Sequence, residues 1–407
     1  MDLKYLYGSE KAALAQQARF AAMRERFAGK FSGADGAVFV SAPGRTEIAG
    51  NHTDHNHGCV LAASVDMDTV ALARANGTDR VTLYSDMYAE PFRVDLRQLE
   101  PVPEEKETTL SLIRGVAAGL KQKGYAVGGF DAWVTSTVQR GSGLSSSAAF
   151  EVMLAKIFSV LFNNDTLPAQ ENAKVSQWAE NRFFMKPCGL MDQMASAVGG
   201  LVYIDFAGGS AQVETISYDF SRRGLGACVV SAGGDHGDLT NEYAAIPAEM
   251  KAAAHVLGGE TLRDVEESIP SSVALLKGKV PDRAILRALH FADENARVRR
   301  MAEALRNDDI DAFLQGVIAS GESSWKLLQN LYVPSGSNQE MPLALEMSRR
   351  YLEGRGAWRI HGGGFAGTIL AFVPLDDMAG YTKYMEDVFG PGSVKPLFIR
   401  PEGAVKL

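Results

Sequence analysis

The run Gly44-Arg45-Thr46-Glu47-Ile48-Ala49-Gly50-Asn51-His52-Thr53-Asp54-His55-Asn56-His57-Gly58 crowds a fixed cation, carboxylates, amides and three imidazoles into one short stretch. Arg45 can hold a phosphate oxygen, and His52 and Asp54 can grip hydroxyl groups. Lying directly after a strand, the segment reads as a pocket for a polar ligand. Three histidines and an aspartate also raise a metal site, but their order matches neither H-E-x-x-H nor a paired Cys/His zinc pattern. A polar surface turn is the plainer alternative.

A second cluster, Gly141-Ser142-Gly143-Leu144-Ser145-Ser146-Ser147, feeds an apolar helix. Glycines let backbone approach an anion closely, and the free N–H groups of a helix start can hold phosphate. The serine hydroxyls add donors and Mg²⁺ ligands. The Lys-Ser/Thr ending of a Walker A loop is missing, and a serine-rich helix cap fits the same residues. Third come Glu180 and Cys188-Gly189-Leu190-Met191-Asp192-Gln193. Phosphoryl transfer needs one carboxylate for a metal and another beside the attacking hydroxyl; taken singly, a solvated or capping acid is the plainer reading of each. Fourth is His361-Gly362-Gly363-Gly364-Phe365-Ala366-Gly367, a glycine turn that makes a tight bend or brings backbone to a ligand.

The elements that must position these groups follow from periodicity. Ser9–Phe27 predicts a helix, free of Gly and Pro. Ala37–Val40 predicts a strand ending at Pro43-Gly44, and Val60–Ala73 and Val81–Tyr84 predict two more. Thr109–Gly119 reads as helix and Phe130–Val138 as strand. Phe150, Leu154, Ile157, Phe158 and Leu161 recur at helical spacing, giving an amphipathic helix over Ser146–Phe162. Helix is expected again over Ala169–Phe184 and strand over Leu201–Phe206. The second half is mostly helical from Asn241 to Leu352 and closes on a strand, Thr368–Val373. No repeat or low-complexity tail is present.

At 407 residues, the chain suits two domains, with Gly208-Gly209 at the boundary: residues 1–207 and 208–407. Hydrophobic residues at 46% and charged residues at 22% fit a folded globular α+β protein. A net charge of -8 argues against nucleic acid as partner. No apolar run is long enough for a membrane span, and Met1–Gly8 lacks a signal pattern. Cys59, Cys188 and Cys228 are scattered and odd in number, so the expectation is a reducing cytoplasm without a disulfide framework. No obligate protein partner is expected.

Taken in order, the four clusters resemble the GHMP small-molecule kinases, and within them the galactokinases. Arg45–Asp66 resembles the sugar signature G-R-x-N-L-I-G-E-H-T-D-Y-N-x-G followed by V-L-x-x-A, and Gly141–Ala148 the phosphate loop G-x-G-L-S-S-S-A. Glu180-Asn181 with Cys188–Gln193 resembles E-N followed by C-G-I-M-D-Q, and Gly362–Gly367 the closing G-G-G-F-G-G. Weaker echoes are Glu242-Tyr243, Arg287–Val298 and Ser320–Pro334.

The resemblance implies a two-domain α+β fold with a left-handed βαβ unit in the N-terminal domain and the active site between the domains. It implies ATP and Mg²⁺ as cofactors, a sugar as substrate, and galactose phosphorylated at its anomeric hydroxyl. Arg45 then corresponds to the arginine stabilising the transferring phosphoryl group, and Asp192 to the carboxylate beside the C1 hydroxyl. Asn51, His52, Thr53, Asp54, Gly189 and Tyr243 fall on the sugar side. Gly141, Ser142, Gly143, Leu144, Ser145, Ser146 and Ser147 fall on the ATP phosphate loop, and Ser147 and Glu180 on the Mg²⁺ ligands.

Four positions depart from the pattern. Asn51 stands where the family has a sugar-binding Glu, Glu47 where Asn is usual, His55 where Tyr is usual, and Gln139 in place of proline. Asn51 lacks the charge that would repel a C6 carboxylate, so galactose is expected first with detectable turnover of galacturonate. A galacturonate or other hexose 1-kinase is therefore the first rival. A silent galactose sensor is the second, against which stand the intact Ser147-Ala148, Arg45 and Asp192.

Overall fold

Two long antiparallel strands run through the middle of the molecule and deliver the first residues of the site. The structure, a computed structural model, describes residues 1–139, 141–209, 211–233, 239–331, 339–365 and 367–407. Residues 332–334 of the weak echo and Ala366 of the glycine turn lie outside the described residues.

In chain order, α1 (Leu3–Tyr7) and α2 (Glu10–Phe31) precede β1 (Val38–Ala49), β2 (Cys59–Ala75), β3 (Arg80–Ser85) and β4 (Tyr88–Asp95). Helix α3 (Thr109–Gln122) leads to β5 (Phe130–Ser136), then α4 (Ser146–Phe162), α5 (Ala169–Ala179) and α6 (Met191–Val198). Strands β6 (Leu201–Asp205) and β7 (Gln212–Ile216) come before β8 (Leu225–Gly233). A helical stretch follows: α7 (Thr240–Val256), α8 (Val273–Leu276), α9 (Asp282–Arg306), α10 (Ile310–Ser323) and α11 (Glu340–Leu352). The chain closes with β9 (Ala357–His361), β10 (Gly367–Pro374), α12 (Met378–Phe389), β11 (Val394–Leu397) and β12 (Val405–Lys406).

The first sheet has the order β12-β1-β2-β5-β3-β4, with β6 on β2 and β7 on β6. Its β3–β5 pair is parallel, and α3 lies in the connection between them, a βαβ arrangement. The second sheet, β11-β8-β10-β9, is antiparallel throughout. Val40, Ala42, Val60 and Ala62 bury against α3–α6 in one core. Ile48, Ala49, Leu61 and Ala63 enter a second core with Val229, Leu370 and Phe372 of the other sheet and with α9 and α10. One strand pair thus feeds both cores, and the seam between them is where the polar residues gather.

Three expected boundaries need correction. The first long helix runs past Phe27 to Phe31: the Ser9 hydroxyl accepts from Ala12 N at 3.1 Å, and Ser32, left-handed at φ 57°, ends it. The strand expected to stop at Pro43-Gly44 continues to Ala49. Pro43 cannot donate to the ladder, and the sheet absorbs it by register shifts at Pro43/Arg45 and at Glu47/Ala49. The polar cluster therefore starts inside a strand, with Arg45 to Glu47 in regular pairing between two irregularities. The helix expected to Phe184 loses α geometry at Glu180, where a single π turn, Glu180–Phe184, takes over.

Candidate active site

Arg45 leaves β1 towards the N-terminus of α6 and meets Asp192 in a two-pronged ion pair. Nε donates to Oδ1 at 2.6 Å and Nη2 to Oδ2 at 2.7 Å, while Nη1 donates to the carbonyl of Gly143. Planar guanidinium matches planar carboxylate, so both side chains are fixed in orientation as well as charge. Burial opposes the charge of Asp192, but Arg45, helped by the Ser145 hydroxyl, holds its carboxyl below the ordinary value.

The loop before α4 docks on this pair. Arg45 N donates to Leu144 O at 3.0 Å. Ser145 sits left-handed at φ 57°, turning the chain so that α4 starts at Ser146. The first backbone bond back into the helix is Ala149 N to Ser145 O at 3.2 Å, so the amides of Ser146, Ser147 and Ala148 precede the ladder, and of these residues Ser146 and Ser147 line the cavity. A side chain at Gly143 would place its Cβ 2.4 Å from Thr368 Oγ1 and 2.7 Å from His361 Nδ1. The loop can pack against β9 and β10 only as glycine.

These groups line one cavity of about 650 Å³. Of the residues singled out in the sequence, Arg45, Asn51, His52, Asp54, Gly141, Gly143, Ser145, Ser146, Ser147, Glu180, Gly189, Asp192 and Tyr243 all reach it. Thr53, Ser142 and Leu144 are not in its lining. Thr53 is fully buried, its hydroxyl 2.9 Å from Gly50 O and 2.7 Å from Cys59 O, a turn-forming role. The Ser142 hydroxyl donates to Gln139 O at 2.6 Å, and Leu144 is core.

The far wall is the glycine turn and its neighbours. His52, left-handed at φ 59°, bonds Gly363 O through Nε2 at 2.9 Å. Burial, then the neighbouring His55, depresses it to about 4, so it is a neutral donor near pH 7. Tyr243 donates to Gly364 O at 2.7 Å. Asp54 accepts from His55 N at 2.9 Å and lies against Gly189, where an added Cβ would fall 1.7 Å from Asp54 Oδ2. His57 is outside the cavity, and among the described residues no three His, Cys, Asp or Glu side chains are grouped to hold a metal ion.

Glu180 is buried at the cavity edge and accepts from Gln193 Nε2 at 2.8 Å. The same nitrogen reaches Glu151 Oε2 at 3.1 Å, and burial followed by the charge of Glu180 drives Glu151 well above the usual carboxylate range.

Sequence reasoning missed Arg359, Asn330 and the work done by Glu47. Asn51 donates to Glu47 Oε1 at 2.9 Å and to Gly362 O at 2.8 Å, and it accepts from Asn330 Nδ2 at 2.7 Å. Arg359, fully buried, grips Glu47 Oε1 and the Glu47 carbonyl, each at 2.9 Å. Burial pushes Glu47 above its ordinary value, and Arg359 offsets only part of that rise. Asn330 falls inside the weak echo Ser320–Pro334, which gave it no role, and Arg359 falls in no motif; they lie some 280 and 310 residues downstream of this cluster.

Residues 25–75 match the galactokinase galactose-binding signature, and residues 111–200 match the N-terminal domain of GHMP kinases. The galactokinase of Streptomyces coelicolor is 30% identical over 376 residues, 91% of this chain and 93% of that protein. The galactokinase of Chloroflexus aurantiacus is 31% identical over 355 residues, covering 85% and 86%. Among solved structures, Lactococcus lactis galactokinase complexed with galactose superposes with a TM-score of 0.84 at 23% identity, covering 95% of this chain and all of that one. A mevalonate kinase matches at a TM-score of 0.62 and 15% identity, covering 90% and 99%.

Proposed function

The chain belongs to the galactokinase family, sugar kinases of the GHMP fold, and from that premise we propose that it transfers the γ-phosphoryl of ATP to the anomeric C1 hydroxyl of galactose, giving galactose 1-phosphate and ADP. The observation that carries this reading is the Arg45–Asp192 pair facing the start of α4 across one cavity. Phosphoryl transfer asks a protein for positioning and for charge opposite the transferring group, with little covalent chemistry. The loop Gly141–Ser147 cradles the ATP phosphates with the amides of Ser146 and Ser147. Arg45 stabilises the charge that spreads over the transferring phosphoryl.

Asp192 orients the C1 hydroxyl and takes its proton as the O–P bond forms. A carboxylate held low by Arg45 is a weak base, which suits a late transfer in a loose transition state. His52 and Asp54 read the sugar, Tyr243 and Gly189 close its pocket, and Thr53 shapes the turn that carries them. Asn51 belongs to the wall behind.

Ser147 and Glu180 offer hard oxygen donors at the cavity, the donor type Mg²⁺ prefers, and Glu180 keeps one oxygen clear of Gln193. They would hold the ion, which when bound neutralises charge on the ATP phosphates. We keep residues 1–207 and 208–407 as the two kinase domains, with β7 and β12 returning to the first sheet. Among the described residues, no helix is long and apolar enough to cross a membrane, and we place the protein in the cytoplasm, where its three free cysteines stay reduced. The test is ATP turnover with galactose, with the product's phosphate located at C1 by NMR; no turnover with galactose would overturn the reading.

A further inference from the structure

Glu47 lies two residues along β1 from Arg45, and both side chains line the cavity. Pairing with β2 is regular from Arg45 through Glu47, so the two share one face of the strand roughly 7 Å apart. That spacing is of the order of a pyranose ring, putting Glu47 within reach of a sugar whose reacting hydroxyl sits at Arg45 and Asp192.

The hydrogen bonds decide what this wall presents. The two amide hydrogens of Asn51 are spent on Glu47 and Gly362, and its oxygen accepts from Asn330. Asn51 is 1% exposed and has no donor left for a ligand. Glu47 is different. Its Oε1 takes both Asn51 Nδ2 and Arg359 Nη2, but Oε2 has no partner among the described residues, and it is not among the sealed unpartnered atoms. The guanidinium of Arg359 lies behind, committed to Oε1 and to the Glu47 carbonyl. Thus the cavity meets an anchored carboxylate through one free oxygen. The charge absent from position 51 is present at position 47, bonded to it.

We propose that Glu47 sets the charge class of the substrate: its free oxygen accepts a hydrogen bond from a hydroxyl of a neutral hexose and turns away a hexuronate. The inference rests on the galactose-kinase reading above. It reverses the expectation drawn from Asn51 alone. A uronate carboxylate entering here would set acceptor against acceptor at Glu47, with both Asn51 amide hydrogens already spent, while a hydroxyl supplies the missing donor.

Measure kcat and KM for galactose and galacturonate with the full-length protein, and binding of each sugar by calorimetry without ATP. The wild type should favour galactose in kcat/KM by on the order of 100-fold or more. Glu47→Gln, which keeps the shape and the acceptor but loses the charge, should cut that preference by about tenfold or more, through a higher KM for galactose and tighter binding of galacturonate. Should loss of Arg359's partner unfold that variant, the wild-type binding ratio still decides. Galacturonate binding the wild type within about threefold of galactose overturns the proposal, as does a folded Glu47→Gln with an unchanged ratio. Either result leaves galactose phosphorylation standing; absence of galactose turnover would instead remove the function on which the inference rests.

Discussion

Arg45 and Asp192, 147 residues apart in sequence, are held by two parallel hydrogen bonds of 2.6 and 2.7 Å. Each therefore depends on the other for position. Asp192→Asn keeps the shape but loses the charge, and Arg45→Ala removes the cation at the phosphoryl. Each should lower kcat by about 100-fold or more, because the lost interaction belongs mainly to the transition state. Both should stay folded, at a cost of about 3–5 kcal/mol where buried Arg45 is left without its partner and less where half-buried Asp192 is. Single-turnover kinetics on circular-dichroism-checked protein tests this, and near-normal turnover in both variants would remove the pair from the chemistry.

Ser147 and Glu180 should govern the Mg²⁺ requirement. Ser147→Ala removes one hard oxygen ligand and Glu180→Gln the negative charge of the other, so the Mg²⁺ concentration for half-maximal rate should rise by about tenfold, and saturating Mg²⁺ should recover much of the rate. Zinc should not substitute, since among the described residues no three His, Cys, Asp or Glu side chains are grouped to hold it, and hydroxyl and carboxylate oxygens suit Mg²⁺ better. A titration with unchanged midpoints would move the metal to other residues.

Stability should fall as pH drops below about 6.5. His290 and His361 are buried and His52 is partly buried in the cavity wall, with desolvation as the main cause of their lowered values, and His52 is near 4. Above about 6.5 both folded and unfolded forms are neutral there. Between that value and the folded ones, only the unfolded chain takes up protons, and each histidine removes up to about 1.4 kcal/mol per pH unit. Asp192 and Glu294 are depressed instead (Glu294 to about 2), so their contribution is lost only below the ordinary carboxylate range. Thermal midpoints at pH 7.5, 6.5 and 5.5 should therefore decline, less steeply than the histidines alone would give, because Asp66, raised to about 6, and Glu151 take up protons in the folded protein over part of that interval. Imidazole resonances of the folded protein that titrate near 6.5 would show the histidines to be accessible to protons.

Much of the site was legible because short segments carry it. The serine loop and the helix over Ser146–Phe162 are local, and that helix forms with the expected bounds. Local pattern failed where tertiary structure overrode it. Pro43 and Gly44 signal a strand end, but β2 pairs along both sides of them and the sheet shifts register rather than stopping. Thr53 looked like a ligand group, yet its hydroxyl closes a turn. Asn51 read alone suggested a lost charge, because its bond to Glu47 is a side-chain contact that sequence spacing on an irregular strand end does not reveal. Arg359 and Asn330 come from the other end of the chain and enter only through packing.

Gly189 offers a test of the sugar pocket that removes no charged group. An added Cβ would sit 1.7 Å from Asp54 Oδ2 and 2.4 Å from its Cγ, inside any permissible contact, so Asp54 must move aside. Asp54 lines the cavity and its Oδ1 accepts from His55 N, which ties the shift to the His52–His55 turn. The three atoms nearest this Cβ position all belong to Asp54. Gly189→Ala should therefore raise KM for galactose by about tenfold or more, with a smaller change in kcat and in KM for ATP. Gly189→Ala combined with Asp54→Ala should show no further loss beyond Asp54→Ala alone, because both act on the same carboxylate. Additive losses in the double variant would mean that Gly189 serves the sugar directly rather than by making room for Asp54.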